Sequence, residues 1–367
     1  MMPVSNVTPK MPFHEVGQGE ISADLLAKLS DGAAAEEDGT RPIANSIDLL
    51  RSADLLLQGS GEPPNRTANL LMKVGAANLC VGRLWEGHMN ASTLINLYGA
   101  PHLKRRVRTL IDQGAFLGVW GADGKTPVTW TAPSDCLSGA KMFASGLGTV
   151  THAVITVNSG PKVRLALVDV SDTARADASV WDMHGMKATA SGRFDFTDFP
   201  MSQAEWLGEP GDYLREPHFV GGVWRIAGLQ VGAAIGLIDC AAAELRAMGR
   251  MHAGPQQARL MPILMRAWAG ASLVERAAMA TTDAGLATEQ IVATSIAARL
   301  LTEDVALDAI RAVEQSIGLR HFDAQSQTGR MARDLAVYLR QAARDAFLQR
   351  AAEHALGQDG GTWGIFE

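Results

Sequence analysis

Hydrophobic positions recur at helical spacing at both ends of the chain and at strand-like spacing in its middle. From residue 16 to 115, Leu25, Leu26 and Leu29, then Ile47, Leu49 and Leu50, then the run Ala68 to Leu84 follow a period near 3.6. GSGEPPNRT, residues 59–67, interrupts this pattern with Gly and Pro and predicts a loop. From 116 to 212 the texture changes. VTHAVITV (150–157) is β-rich and nearly continuous, and VRLALVDV (163–170) follows the turn NSGPK with a period of two. Phe194, Phe196 and Phe199 predict another strand. From 213 to 356 helical spacing returns. Leu260, Ile263, Leu264, Ala267, Ala271 and Val274 trace one face, and Leu286, Ile291, Val292, Ile296 and Leu300 trace the next. A further helix is predicted from near Arg330 toward Leu356, with a loose Gly-rich tail, GQDGGTWGIFE. The pattern predicts an α+β protein with an N-terminal helical domain (16–115), a small middle β-domain (116–212) and a C-terminal helical bundle (213–356).

Composition narrows the function classes. A chain of 367 residues has room for two or three domains or one composite unit. With 47% hydrophobic and 20% charged residues it can bury a large core, which argues against disorder. The net charge of −6 lacks the basic surplus of a nucleic-acid binder. The apolar run Ile226–Ile238, bounded by Arg225 and Asp239, is shorter than the roughly 18–20 residues of a membrane span and predicts a buried helix. The N-terminus has no secretory pattern, and three scattered cysteines (Cys80, Cys136, Cys240) fit a reducing cytoplasm. No phosphate-loop, dinucleotide, zinc or nucleophile-elbow motif occurs, so no metal is expected. His152, within a strand pattern, is read as structural.

The helix–strand–helix order meets a run of specific residues. LSGAKMFASG (137–146) is followed by WDMHGMKAT (181–189), then Ser191, Phe196, Asp198 and Pro200. QSIG (315–318) and RMARD (330–334) come later, and VGRLWEGHMNASTLINLYGAP (81–101) precedes them all. In order and spacing these segments resemble the acyl-CoA dehydrogenase family over about residues 20–350. The resemblance implies a C-terminal four-helix bundle and FAD held between it and the β-domain. It also implies a homo-oligomer, dimer or tetramer, whose neighbouring subunit completes the cofactor site. The implied cofactor residues are Trp120, Gly121, Ala122, Phe143, Ser145, Arg250, Gln257, Gln315 and Gly318. Ala122 stands where the family has threonine, and Ala253 where it has phenylalanine.

The implied activity is α,β-dehydrogenation of an acyl-CoA or acyl-carrier thioester, with electrons passing to an electron-transfer flavoprotein. That chemistry needs a general base. The family's usual glutamate position falls on Ala342, and the alternative site at the start of the bundle has no carboxylate between Glu216 and Asp239. Asp345, Glu216 and His88 are the candidate bases. Relatives that use reduced flavin and O₂ lack the glutamate, so a flavin-dependent monooxygenase is the alternative, with a non-catalytic flavin or acyl binder behind it.

Overall fold

The computed structural model describes residues 21–57, 63–131, 134–158, 160, 162–357 and 361–364. Residues 16–20, in the expected N-terminal domain, and 59–62, in the expected loop, lie outside that set. Five helices come first: α1 (Ala23–Glu37), α2 (Ala44–Ser52), α3 (Pro64–Ala77), α4 (Leu79–Tyr98) and α5 (Pro101–Asp112). Ten strands follow: β1 (Leu117–Trp120), β2 (Thr129–Thr131), β3 (Cys136–Ser138), β4 (Ala140–Ala144), β5 (His152–Asn158), β6 (Val163–Asp169), β7 (Ala176–Asp177), β8 (Gly192–Asp195), β9 (Phe199–Pro200) and β10 (Ala204–Leu207). Helices return as α6 (Trp224–Ala247), α7 (Gly254–Ala280), α8 (Thr288–Ile317), α9 (Gln327–Tyr338) and α10 (Arg344–Leu356).

One sheet runs β10-β6-β5-β2-β3-β9, with β1 parallel to β5; the smaller sheet is β4-β8-β7. The apolar residues of β5 and β6 pair within the large sheet, Val154 with Leu167 and Ile155 with Ala166. Helices α6, α7 and α8 pack side by side, and α3 packs along α6.

Four predicted elements differ in detail. The run Ala68–Leu84 is two helices, because Asn78 adopts φ −156° between them. Its carboxamide oxygen accepts from the Val81 N–H at 3.2 Å, capping α4, and its nitrogen donates to Leu29 O at 3.1 Å and Glu36 Oε2 at 2.8 Å. The expected loop 59–67 gives way to α3 at Pro64, where proline's fixed φ suits a first helical turn. The Phe194–Phe199 segment is two short strands around a turn, with Asp198 at φ 52° and the Phe199 N–H donating to Phe196 O. The expected helix from Arg330 to Leu356 breaks after Tyr338, where Ala343 turns into the left-handed region at φ 63°. The described part of the tail folds back: the Trp363 N–H donates to Ala355 O at 2.9 Å.

Helix α6 explains the apolar run at the chain's centre. Residues 220–247 are long and apolar enough to cross a membrane by length and composition. Here the helix is buried against α3, and glycine sets how closely. A Cβ on Gly232 would stand 2.1 Å from Met72 O, and one on Gly236 would stand 2.4 Å from Ala76 O. Gly228, Gly232 and Gly236 share one helix face, so the α3 backbone lies directly on α6. Gly232→Ala should destabilise the protein by about 2–3 kcal/mol in urea denaturation, since neither backbone can yield without moving a helix. Gly254→Ala, with open space around its would-be Cβ, should be neutral or slightly stabilising in the same assay.

Candidate active site

The residues after β1 run alongside β4. The Met142 N–H donates to Ala122 O at 3.0 Å and the Gly124 N–H to Ala140 O at 2.8 Å. This brings Trp120, Gly121, Ala122, Phe143 and Ser145 into one area. Trp120 is buried, and its indole N–H donates to Ser145 O at 3.0 Å, so its ring braces the strand. Between Lys141 and Ala144 the β4–β8 register shifts, and Phe143 adopts φ 55°. A large aromatic in that backbone region is costly. The result is a Phe143 ring 58% exposed, edge-on to Trp181 at 6.3 Å. The Trp181 indole nitrogen is buried without a hydrogen-bond partner. Ser145 Oγ accepts from Ser191 Oγ at 3.0 Å, which leaves the Ser145 hydroxyl hydrogen to donate outward. An aromatic ledge, a free hydroxyl hydrogen and an orphaned indole N–H are the features a flat, hetero-atom-rich ring would satisfy.

A cavity of about 200 Å³ adjoins this area between α4, the end of β1 and the start of α6. Val119 lines it, next to Trp120, and so does Tyr213, whose hydroxyl stands 3.0 Å from where a Gly121 Cβ would be. Glu86, Asn90, Thr93, Leu94 and Leu97 supply the α4 wall. Their spacing is one helical stripe. Arg83 Nη1 donates to Glu86 Oε2 at 2.5 Å, and Asn90 Nδ2 donates to Glu86 Oε1, so both oxygens of this buried carboxylate are engaged. Burial raises the Tyr213 phenol, and the nearby Glu86 charge adds to that. Tyr213 therefore stays a neutral hydroxyl.

The three candidate bases take other roles. His88 is fully buried on the opposite face of α4. Its Nε2 donates to Leu56 O at 2.7 Å, its Nδ1 accepts from the Leu117 N–H at 3.0 Å, and its ring stacks on Phe116. Neither nitrogen is left for substrate. Glu216 Oε2 accepts from the Val220 N–H at 2.9 Å, and its Oε1 pairs with Arg350 at 2.9 Å. Asp345 stands almost fully exposed in the first turn of α10, and Ala342 lies exposed in the turn before it.

The other four implied cofactor residues form a second group, at one end of the helical bundle. Arg250 lies in the α6–α7 connection, Gln257 on the first turns of α7, and Gln315 and Gly318 at the end of α8. Buried Gln256 ties these elements, donating to Ser316 O at 3.4 Å. Arg250, Gln257 and Gln315 are exposed, and Gly318 has open space around it at φ 70°. Leu319 and Phe322 beside them are 88% and 63% exposed. Among the described residues no cluster of His, Cys, Asp and Glu is placed to hold a metal.

No protein-family model matches the chain, and no curated protein matches its sequence. Its backbone does match solved structures. The dibenzothiophene monooxygenase TdsC from Paenibacillus sp. A11-2, solved with FMN and indole, superimposes with a TM-score of 0.78 at 16% identity, over 91% of this chain and 95% of that one. KijD3, solved with FMN and a dTDP-amino-keto-sugar, gives 0.78 at 18% identity over 91% and 92%. Methanesulfinate monooxygenase MsuC from Pseudomonas fluorescens gives 0.71 at 16% over 91% and 95%. The chain has the acyl-CoA dehydrogenase-like fold. At these identities the likeness fixes the backbone architecture.

Sequence reasoning picked His88 from WEGHMN and passed over Glu86 two residues earlier. The usable signal was the polar set Glu86, Asn90 and Thr93, which recurs at helical spacing along one face of α4. His88 carries a pH prediction. Burial is the main cause that pushes its imidazole down to about 4, opposed by the bond to Leu56 and aided by Arg51. Its folded value lies below its unfolded value near 6.5, so the unfolded chain binds the proton first. Stability should be full above about pH 6.5 and fall by roughly 3 kcal/mol as pH drops toward 4. Urea midpoints across that range should show this slope, and His88→Gln, less stable throughout, should flatten it.

Proposed function

We propose that this chain is a flavin-dependent monooxygenase. The observation that carries the reading is the cavity beside the Trp120–Ser145 area. Its lining is mixed polar and apolar, and the one carboxylate on it, Glu86, is held by Arg83 and Asn90 through both oxygens. The reaction consumes reduced flavin, O₂ and substrate and yields oxidised flavin, water and the oxygenated substrate. Support comes from the neighbours: two of those above were solved with FMN, and two are named monooxygenases.

In this reading Phe143 and Trp181 form the aromatic wall for the flavin ring, and the Ser145 hydroxyl and Trp181 N–H donate to its edge. Tyr213, kept neutral, offers a hydroxyl at the boundary between ring and cavity. Leu94, Leu97, Val119, Phe219 and Ile226 give the substrate side an apolar lining. Arg250, Gln257, Gln315 and Gly318 hold the phosphate end from a second copy of the chain, whose contact covers Leu319 and Phe322. FAD is the flavin the sequence resemblance implies, and FMN the one seen in the neighbours.

Acyl-CoA dehydrogenation predicts a different outcome in one experiment. Under anaerobic conditions the protein-bound oxidised flavin should keep its colour against a panel of acyl-CoAs. Bleaching by any of them would overturn the monooxygenase reading. Separately, Arg250→Ala should weaken flavin binding by about tenfold, the worth of a charge-assisted phosphate contact, with the melting temperature unchanged. Equilibrium dialysis that finds full affinity would remove Arg250 from the site.

A further inference from the structure

We infer that the cavity between α4 and α6 binds a small molecule bearing an anionic oxygen-acid group, with Arg225 as its counter-ion. The inference rests on the reading of this cavity as the substrate pocket, and it adds the substrate's charge class.

Arg225 stands in the first turn of α6 and lines the cavity with half-buried atoms. Its guanidinium carries five donors. One, Nη1, donates to Gly222 O at 3.4 Å, and the group lies 4.6 Å over the Trp224 ring. Among the described residues no carboxylate forms an ion pair with it. The nearest carboxylate on the wall, Glu86, is already paired with Arg83 and bonded to Asn90. The two arginines and one carboxylate here therefore leave one positive charge over.

The first turn of α6, with Gly222 and Val223 before it, faces the cavity. The turn leading into it is already met by Glu216, whose Oε2 accepts from the Val220 N–H at 2.9 Å and the Gly221 N–H at 3.4 Å, so Arg225 is the group that carries the positive charge here. His218, also on the wall, is pushed toward its neutral form chiefly by burial, so it does not supply the charge. Half-buried at the cavity wall, the guanidinium uses one donor on Gly222 O and has others available to a ligand. An oxyanion would offer it the paired acceptors it lacks.

The rest of the cavity limits the ligand's body. Leu94, Leu97, Val119, Phe219 and Ile226 are apolar, and about 200 Å³ is below the roughly 300–1,000 Å³ of drug-sized ligand pockets. The ligand is a short apolar group ending in a carboxylate, sulfinate, sulfonate or similar head.

The test is isothermal titration of the full chain near neutral pH, with and without bound flavin, using hexanoate, 1-hexanesulfonate and hexanamide. At least one anion should bind about tenfold more tightly than the amide. Arg225→Gln should reduce that preference to within about threefold while leaving amide affinity alone. Arg225→Lys should keep a preference for charge, which separates loss of charge from loss of fold. Equal affinity for anion and amide, no binding of either anion, or a preference that survives in Arg225→Gln would overturn the proposal. Anion selectivity in flavin-free protein stands even if the protein takes no flavin. A protein that binds flavin and shows no anion preference sinks this proposal and leaves the monooxygenase reading intact.

Discussion

One imidazole fixes the position of helix α4, and most of the site follows from where α4 lies. His88 joins three segments, accepting from the first strand at Leu117 and donating to the connection after α2 at Leu56. Trp85, one turn earlier on the same face, donates to Leu55 O at 3.2 Å. These bonds turn one face of α4 toward the body of the protein. The opposite face, Glu86, Asn90, Thr93, Leu94 and Leu97, is then obliged to look across the end of β1 toward α6. A residue chosen as a candidate base thus acts as the tie that aims its neighbours.

The second constraint is the contact between α6 and α3. Glycines at 232 and 236 let two helix backbones meet with no side chain between them, which sets the height of the first turn of α6. That turn carries Arg225 and follows Gly222, both on the far wall of the cavity. The start of α6 is also fixed from behind, where Glu216 accepts from the backbone at Val220 and pairs with Arg350 on α10. Glu216, one of the candidate bases, is thus engaged in holding the helix that forms the far wall.

Much of the architecture was legible in the sequence. Periods of 3.6 and 2 located the helical and strand regions, because the apolar faces in question are buried and repeat regularly. What failed were element ends set by single polar or strained residues. Asn78 splits a continuous apolar run because its carboxamide caps α4 and binds two groups of α1, and no periodicity shows that. Ala343 turns left-handed with no glycine to announce it. The site was half legible. Family-like segments led to Trp120, Phe143 and Ser145, which the fold does bring together. Glu86, Tyr213 and Arg225 were missed because Glu86 meets the other two only in three dimensions, from a segment more than a hundred residues earlier.

The central claim is that the Phe143–Ser145 ledge holds a flavin. The most direct measurement is a fluorescence titration of FMN and of FAD with the full-length protein. The account predicts saturable quenching of at least one flavin, weakened by Phe143→Ala, a change at a largely exposed ring. Fluorescence of both flavins that stays unchanged up to the protein's solubility limit would contradict it.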